Sequence, residues 1–159
     1  MPIQFDHRGF LQPALPIEVS MAEVYQNFVE PFPSDSSRKR LFDTFLRYKN
    51  ELTVTFGSCR QWIDGSFVSK VVSPRDIDVV TFIHYQVGSL NSSEWKRLGR
   101  HAKTKFPGID AYLVLVYPKP HPKHALYVSD QTYWLSQFTR TRKNRRGIRL
   151  PKGCLQLMQ

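Results

Sequence analysis

Two aspartates, Asp76 and Asp78, open a strongly apolar run that continues through Val79, Val80, Phe82 and Ile83. The β-branched and aromatic side chains of that run predict a buried strand over 76–83. Alternation along a strand then sets Asp76 and Asp78 on one face. Two carboxylates side by side at the mouth of a buried strand repel each other and lose hydration, a cost that a cation between them removes. A hard divalent ion with oxygen ligands, Mg²⁺ above all, suits such a pair. Upstream, Gly65-Ser66 closes a short apolar segment. A Gly-Ser turn offers backbone N–H groups and a hydroxyl, which suit a phosphate. Together these features point to a site for a metal-bound nucleoside triphosphate.

A third carboxylate, Asp110, opens a later apolar stretch over 109–117 that also reads as a strand. With Gly65-Ser66, Asp76-Ile77-Asp78 and Asp110 in this order, residues 36–117 resemble the nucleotidyltransferase superfamily that includes DNA polymerase beta, in particular its short, minimal branch. The signature of that superfamily is Gly-Ser, a short gap, Asp-x-Asp on a strand, and a carboxylate on a later strand. The wider context from Arg60 to Phe67 is similar to a prokaryotic subfamily, some of whose members are linked to defence or toxin–antitoxin loci. The resemblance implies an α/β (α+β) fold, a small mixed sheet flanked by helices. It also implies transfer of a nucleoside monophosphate from a nucleoside triphosphate, with ATP the favoured donor, to a hydroxyl of RNA (tRNA included) or of a partner protein. Two Mg²⁺ ions would be held by Asp76, Asp78 and Asp110, with Asp110 on the acceptor side, and Gly65 and Ser66 would grip the departing phosphates. Asp64 stands where that superfamily usually has an apolar residue, and pairing with Arg60 or Lys70 is its expected role.

At 159 residues, with 41% hydrophobic and 23% charged residues, the chain reads as one domain with room for a core. Within it, 1–33 reads as an N-terminal arm and helix, 36–117 as the core, and 118–159 as a C-terminal helix and basic extension. No apolar run approaches a membrane span and no signal pattern follows Met1. Cys59 and Cys154 have neither metal-ligand nor disulfide-framework spacing, so reduced thiols in a cytoplasmic protein are expected. The net charge of +10 is uneven: after Asp130 there is no acid, while Arg140, Arg142, Lys143, Arg145, Arg146, Arg149 and Lys152 follow. Such a block attracts polyanions through counterion release. A solvated tail that keeps the protein in solution is an equally good account of charge alone.

Residues 1–19 lack periodicity and read as an irregular arm. Ser20 with Glu23 forms a capping-box pattern before Val24, Tyr25, Phe28 and Val29 at helical spacing, and Pro31 and Pro33 end that helix. Residues 34–37 supply N-cap candidates for a second helix with Leu41, Phe42, Phe45 and Leu46 on one face. Arg38, Lys39 and Arg40 in its first turn oppose the helix dipole and read as a solvated face. Residues 52–56 alternate apolar and polar and suggest a short strand or an extended loop. Gly57-Ser58 has no carboxylate pair at the right distance. Residues 61–63 read as a first core strand beside 76–83.

A capping box at Asn91 and Glu94 precedes Trp95, Leu98, Ala102 and Phe106 at helical spacing, and Pro107-Gly108 stops that helix. Strand, helix, strand implies a crossover and parallel pairing. Three prolines make 118–124 a surface loop rather than a metal site for His121 and His124. Ser129 is read as the cap of a last helix with Tyr133, Trp134 and Phe138, and 150–158 as a final strand. Aromatics followed by cations would suit an RNA backbone and its bases. The competing class is a non-catalytic module on the same fold, an antitoxin-like partner or an RNA-binding protein.

Overall fold

The computed structural model describes residues 3–90 and 92–157, with the side chains of 88–90 and 92 left aside. Its centre is β5 (Ile77–His84), a strand buried on both sides. Antiparallel to it runs β4 (Arg60–Asp64), and parallel to it runs β6 (Ile109–Val116). The parallel pairing is the one a crossover demands. Two further strands complete a five-stranded mixed sheet of order β3-β7-β4-β5-β6, where β3 is Pro16–Glu18 and β7 is Cys154–Leu157. The fold is therefore the mixed α/β class expected.

The N-terminal arm is not irregular throughout. Gln4–Phe5 (β1) and Leu11–Gln12 (β2) pair with each other, and β3 pairs in parallel with β7. Three residues are too few to show a period. The strand exists because a segment far away in the chain offers an edge.

One face of the sheet carries Ile63, Val79, Ile83, Ile109 and Leu155 against a thick helical layer. That layer is α1 (Met21–Phe28) and α2 (Arg38–Phe56). The capping box of α1 forms as its residues predict: the Glu23 N–H donates to Ser20 Oγ, and Glu23 accepts from the Ser20 N–H. In α2, Leu41, Phe45, Tyr48, Leu52 and Phe56 fall on one buried stripe. Residues 52–56 are thus helical, contrary to their alternation. Burying Leu52 and Phe56 four residues apart outweighs the β-branched preference of Thr53, Val54 and Thr55. The helix stops at Gly57, whose φ of 77° is open to glycine and whose N–H donates to Thr53 O at 2.9 Å.

The crossover from β5 to β6 is three short helices, α3 (Tyr85–Leu90), α4 (Ser92–Leu98) and α5 (Ala102–Lys105), rather than one. Its expected cap, Asn91, lies outside the described residues. Leu98, Ala102 and Phe106 are all buried as their spacing requires. The break falls at Gly99, where a Cβ would lie 2.9 Å from Trp95 O and 3.3 Å from Leu113. A side chain at that point would collide with the Trp95 carbonyl and crowd Leu113 of β6.

The opposite face of the sheet has thinner cover. Trp62, Val80, Phe82, Val114 and Cys154 pack mainly against Phe138 and Trp134 of α6 (His124–Phe138). This helix starts at His124, not at Ser129, which is exposed within it. Its first turn is fixed by the preceding loop, where Tyr117 O sits 2.7 Å from His124 Nδ1. Both cysteines are free and buried, and burial pushes the Cys59 thiol up to about 11. Among the described residues, no helix is long and apolar enough to cross a membrane.

Arg38 corrects the reading of the first turn of α2. It is fully buried, not solvated. Its guanidinium donates to the carbonyls of Phe28 (2.7 Å), Phe67 (2.7 Å), Ser69 (2.8 Å) and Val71 (3.0 Å), and lies 3.7 Å from the Phe32 ring centre. Burial lowers its pKa to about 10, so the group stays charged at neutral pH. A planar five-donor group suits this work and an ammonium does not. Arg38→Met should therefore lose about 3–5 kcal/mol of folding stability in denaturant titrations, because the abandoned carbonyls stay buried without donors. Arg38→Lys should recover only a minor part of that loss.

Candidate metal centre

Strand register places the carboxylates. Asp64 on β4 lies opposite Asp78 on β5, and Asp78 lies opposite Asp110 on β6. Residues paired across neighbouring strands share a face, so three aspartates stand in a row on the face that α6 covers farther along. Asp76, two residues before Asp78, joins them from just outside the strand. Asp76, Asp78 and Asp110 each bring a carboxylate oxygen within 4.8 Å of the others. At an effective dielectric near 20, like charges about 5 Å apart repel by roughly 3 kcal/mol. The three predicted ligands are thus brought together, in a geometry that favours a cation.

Asp78 bears most of the strain. Burial, then the charges of Asp76 and Asp110, push its carboxyl up to about 6, against the opposing effect of Lys152 and Arg142. Lys103, on α5, sets its ammonium 2.5 Å from Asp110 Oδ1, and that bond raises the lysine's pKa. Its side chain is 61% exposed, so it can leave when another cation arrives. Hard oxygen ligands with a desolvated member and a displaceable lysine fit a divalent ion such as Mg²⁺.

Gly65 and Ser66 are brought to the same place. Gly65 has φ of 90°, and a Cβ on it would lie 2.5 Å from Asp78 Oδ2. Glycine is required there twice, by the backbone and by the carboxylate pressed against it. Ser66 begins a single 3-10 turn, Ser66–Val68. The Arg38 bonds to the carbonyls of Phe67, Ser69 and Val71 hold the chain that follows this turn.

Asp64 pairs with neither Arg60 nor Lys70. Its partner is Lys152, 88 residues away, whose ammonium donates directly to Asp64 Oδ1. Both are buried. Burial pushes the Asp64 carboxyl up to about 6 even so. The polar residue at a position expected to be apolar is explained by this cation, and no short-range pattern in the sequence announces the pair.

The basic segment is not one uniform surface, and it does not lie apart from the carboxylates. Residues 140–151 fold back on themselves: the Thr141 N–H donates to Leu150 O at 2.8 Å and the Asn144 N–H to Ile148 O at 2.9 Å. Gly147 turns the tip with φ of 74°. Arg149 Nε donates to Thr141 O at 2.9 Å, and Lys152 is spent on Asp64. Arg140, Arg142, Lys143, Arg145 and Arg146 remain exposed. Of these, Arg142 is near enough for its charge to lower the pKa of Asp78. Gly57 only ends α2. The His121 ring packs, tilted, against those of Tyr85 and Tyr117, which stack on each other.

Two outcomes follow from this geometry. A carboxyl whose folded pKa is raised from 3.8 to about 6 favours the folded state fully below the lower value, and that contribution is lost as pH rises through the higher one. In metal-free buffer, Asp78→Asn should therefore raise the thermal midpoint at pH 7.5 by several degrees and remove part of the parent's gain in stability between pH 7 and 4. Gly65→Ala should have the opposite effect, a loss of about 1–3 kcal/mol from strain and collision. Calorimetry of both variants across that pH range checks each sign.

No curated protein and no solved structure matches the chain. A family model covers residues 3–158, nearly the whole length. The protein belongs to the family of unknown function DUF6932.

Proposed function

We propose that the protein is a Mg²⁺-dependent nucleotidyltransferase that moves a nucleoside monophosphate from a nucleoside triphosphate, ATP the favoured donor, to an acceptor hydroxyl. The observation that carries this reading is the carboxylate group itself. Asp76, Asp78 and Asp110 lie within 4.8 Å of one another beside a glycine whose missing Cβ admits Asp78. The resemblance of residues 36–117 to minimal nucleotidyltransferases supports the same reading, and with it we propose a cytoplasmic protein in a toxin–antitoxin or phage-defence setting.

Asp76 and Asp78 would hold one Mg²⁺ on the triphosphate side, and all three aspartates would share a second near the acceptor. The bound metal supplies positive charge to the reacting phosphate and makes the acceptor hydroxyl more acidic. The residues of the chain do the rest. The Gly65-Ser66 turn and Arg142 hold the outer phosphates, and Asp110 receives the acceptor's proton before it passes to solvent. The acceptor oxygen bonds to the α-phosphorus as the bond from that phosphorus to the bridging oxygen breaks, and its electron pair leaves with pyrophosphate. Such a reaction depends on positioning and electrostatics, with no protein nucleophile.

One observation favours a second reading, a protein-interaction module of the antitoxin kind. Leu126, Val128 and Tyr133 of α6 are about half-exposed or more, an unusual apolar load for one helix. That reading requires neither metal nor nucleotide. Titration of ATP with Mg²⁺ and with EDTA, in the parent and in Asp76→Asn/Asp78→Asn, separates the two. Binding should weaken at least tenfold on removing either metal or carboxylates. Equal affinity in all four measurements removes the transferase reading.

A further inference from the structure

β6 ends the sheet, so among the described residues its outer edge has no strand partner. That edge is the floor of a cleft of about 420 Å³ whose walls come from α4–α5 on one side and α6 on the other. The volume falls within the range of small-molecule sites, roughly 300–1,000 Å³. Three kinds of group line it. Tyr112 and Trp134 form an aromatic wall, their ring centres 4.3 Å apart, with Tyr112 40% exposed. Arg100 and Lys103 supply positive charge, and Arg100 has no ion-pair partner among the described residues. Asp110, shared with the carboxylate group, closes one end.

We infer that this cleft receives the terminal nucleotide of a single-stranded nucleic acid, its base against Tyr112 and Trp134 and its phosphate at Arg100 and Lys103. The inference rests on the proposed transferase reading in that Asp110 then meets the strand's terminal hydroxyl. Aromatic faces with adjacent cations accept any nucleotide, since every base has a π-face and every internucleotide link a phosphate. With Asp110 held by a divalent ion, Lys103, 61% exposed, would be free to pair with that phosphate. Arg142, near enough for its charge to act on Asp78, and the exposed Lys143, Arg145 and Arg146 that follow it add further positive charge. A peptide adding as a strand to β6 would use the edge but leave Arg100 without an anion, so charge favours the nucleic acid.

The test measures binding of fluorescein-labelled ten-nucleotide single strands, RNA and DNA in separate arms, by anisotropy in EDTA. The parent should bind one or both, and affinity should fall steeply with salt. Arg100→Ser/Tyr112→Leu should weaken binding about tenfold or more and reduce the salt slope by about one. Should that variant fail to fold, Arg100→Glu, a change at an exposed position, gives the same reading alone. A parent that binds neither strand, or that prefers an acidic ten-residue peptide, overturns the assignment. So does a folded cleft variant with parental affinity. ATP binding in Mg²⁺ is measured on the same samples: its absence in the parent sinks the transferase reading, whereas its retention in a cleft variant with unchanged strand binding sinks only the cleft.

Discussion

Four carboxylates stand together on one side of three strands, and their mutual repulsion is the constraint that the surrounding structure answers. The answers are different for each. Asp64 is neutralised for good by a buried lysine, and Asp110 temporarily by an exposed one. Asp76 and Asp78 have no ion-pair partner among the described residues, and Asp78 is left with a pKa of about 6. Two of the four carboxylates thus pair with a lysine, and among the described residues the pairing is incomplete. The incompleteness is local, since the strands beneath it are among the most buried of the chain.

Holding that arrangement requires rigidity from interactions anchored around it. Arg38 gathers carbonyls from the end of α1 and from the chain after Gly65, so one buried side chain connects the helical layer to the turn beside Asp78. The pair Asp64–Lys152 does the same from the other side, tying the basic fold-back to the sheet. Both interactions desolvate a charge, and both are stronger as constraints on geometry than as contributions to net stability. Their shared effect is to keep the glycine turn, the aspartates and Arg142 in one neighbourhood.

The elements that sequence reveals here are those with local causes. Asp76, Asp78 and the apolar run after them carry their own alternation, and the α1 capping box needs only Ser20 and Glu23. The crossover follows from element order, and with it the meeting of Asp78 with Asp110. What sequence conceals has distant causes. Lys152 looks like the other cations of its block until strand β7 delivers it to Asp64. Arg38 looks exposed because a cationic first turn is normally solvated, and only the tertiary fold supplies its carbonyls. Residues 52–56 alternate like a strand, but a stripe begun at Leu41 claims them for the helix. Ser129 has the chemistry of a cap, yet the turn that starts α6 is made earlier by the 118–123 loop.

The position of β7 has a consequence for how the molecule comes into being. The strand lies between β3 and β4, so it is an interior member of the sheet although it follows β3, β4, β5 and β6 in sequence. During synthesis β4, β5 and β6 can associate early, but β3 has no neighbour and β4 keeps an open edge until residues 154–157 leave the ribosome. Until then the Asp64 carboxylate also lacks its ammonium. Pairings this remote in sequence slow folding and leave a nascent sheet available to other strands. In the nascent protein the ion pair and the seam therefore close together, once residues 152–157 have emerged.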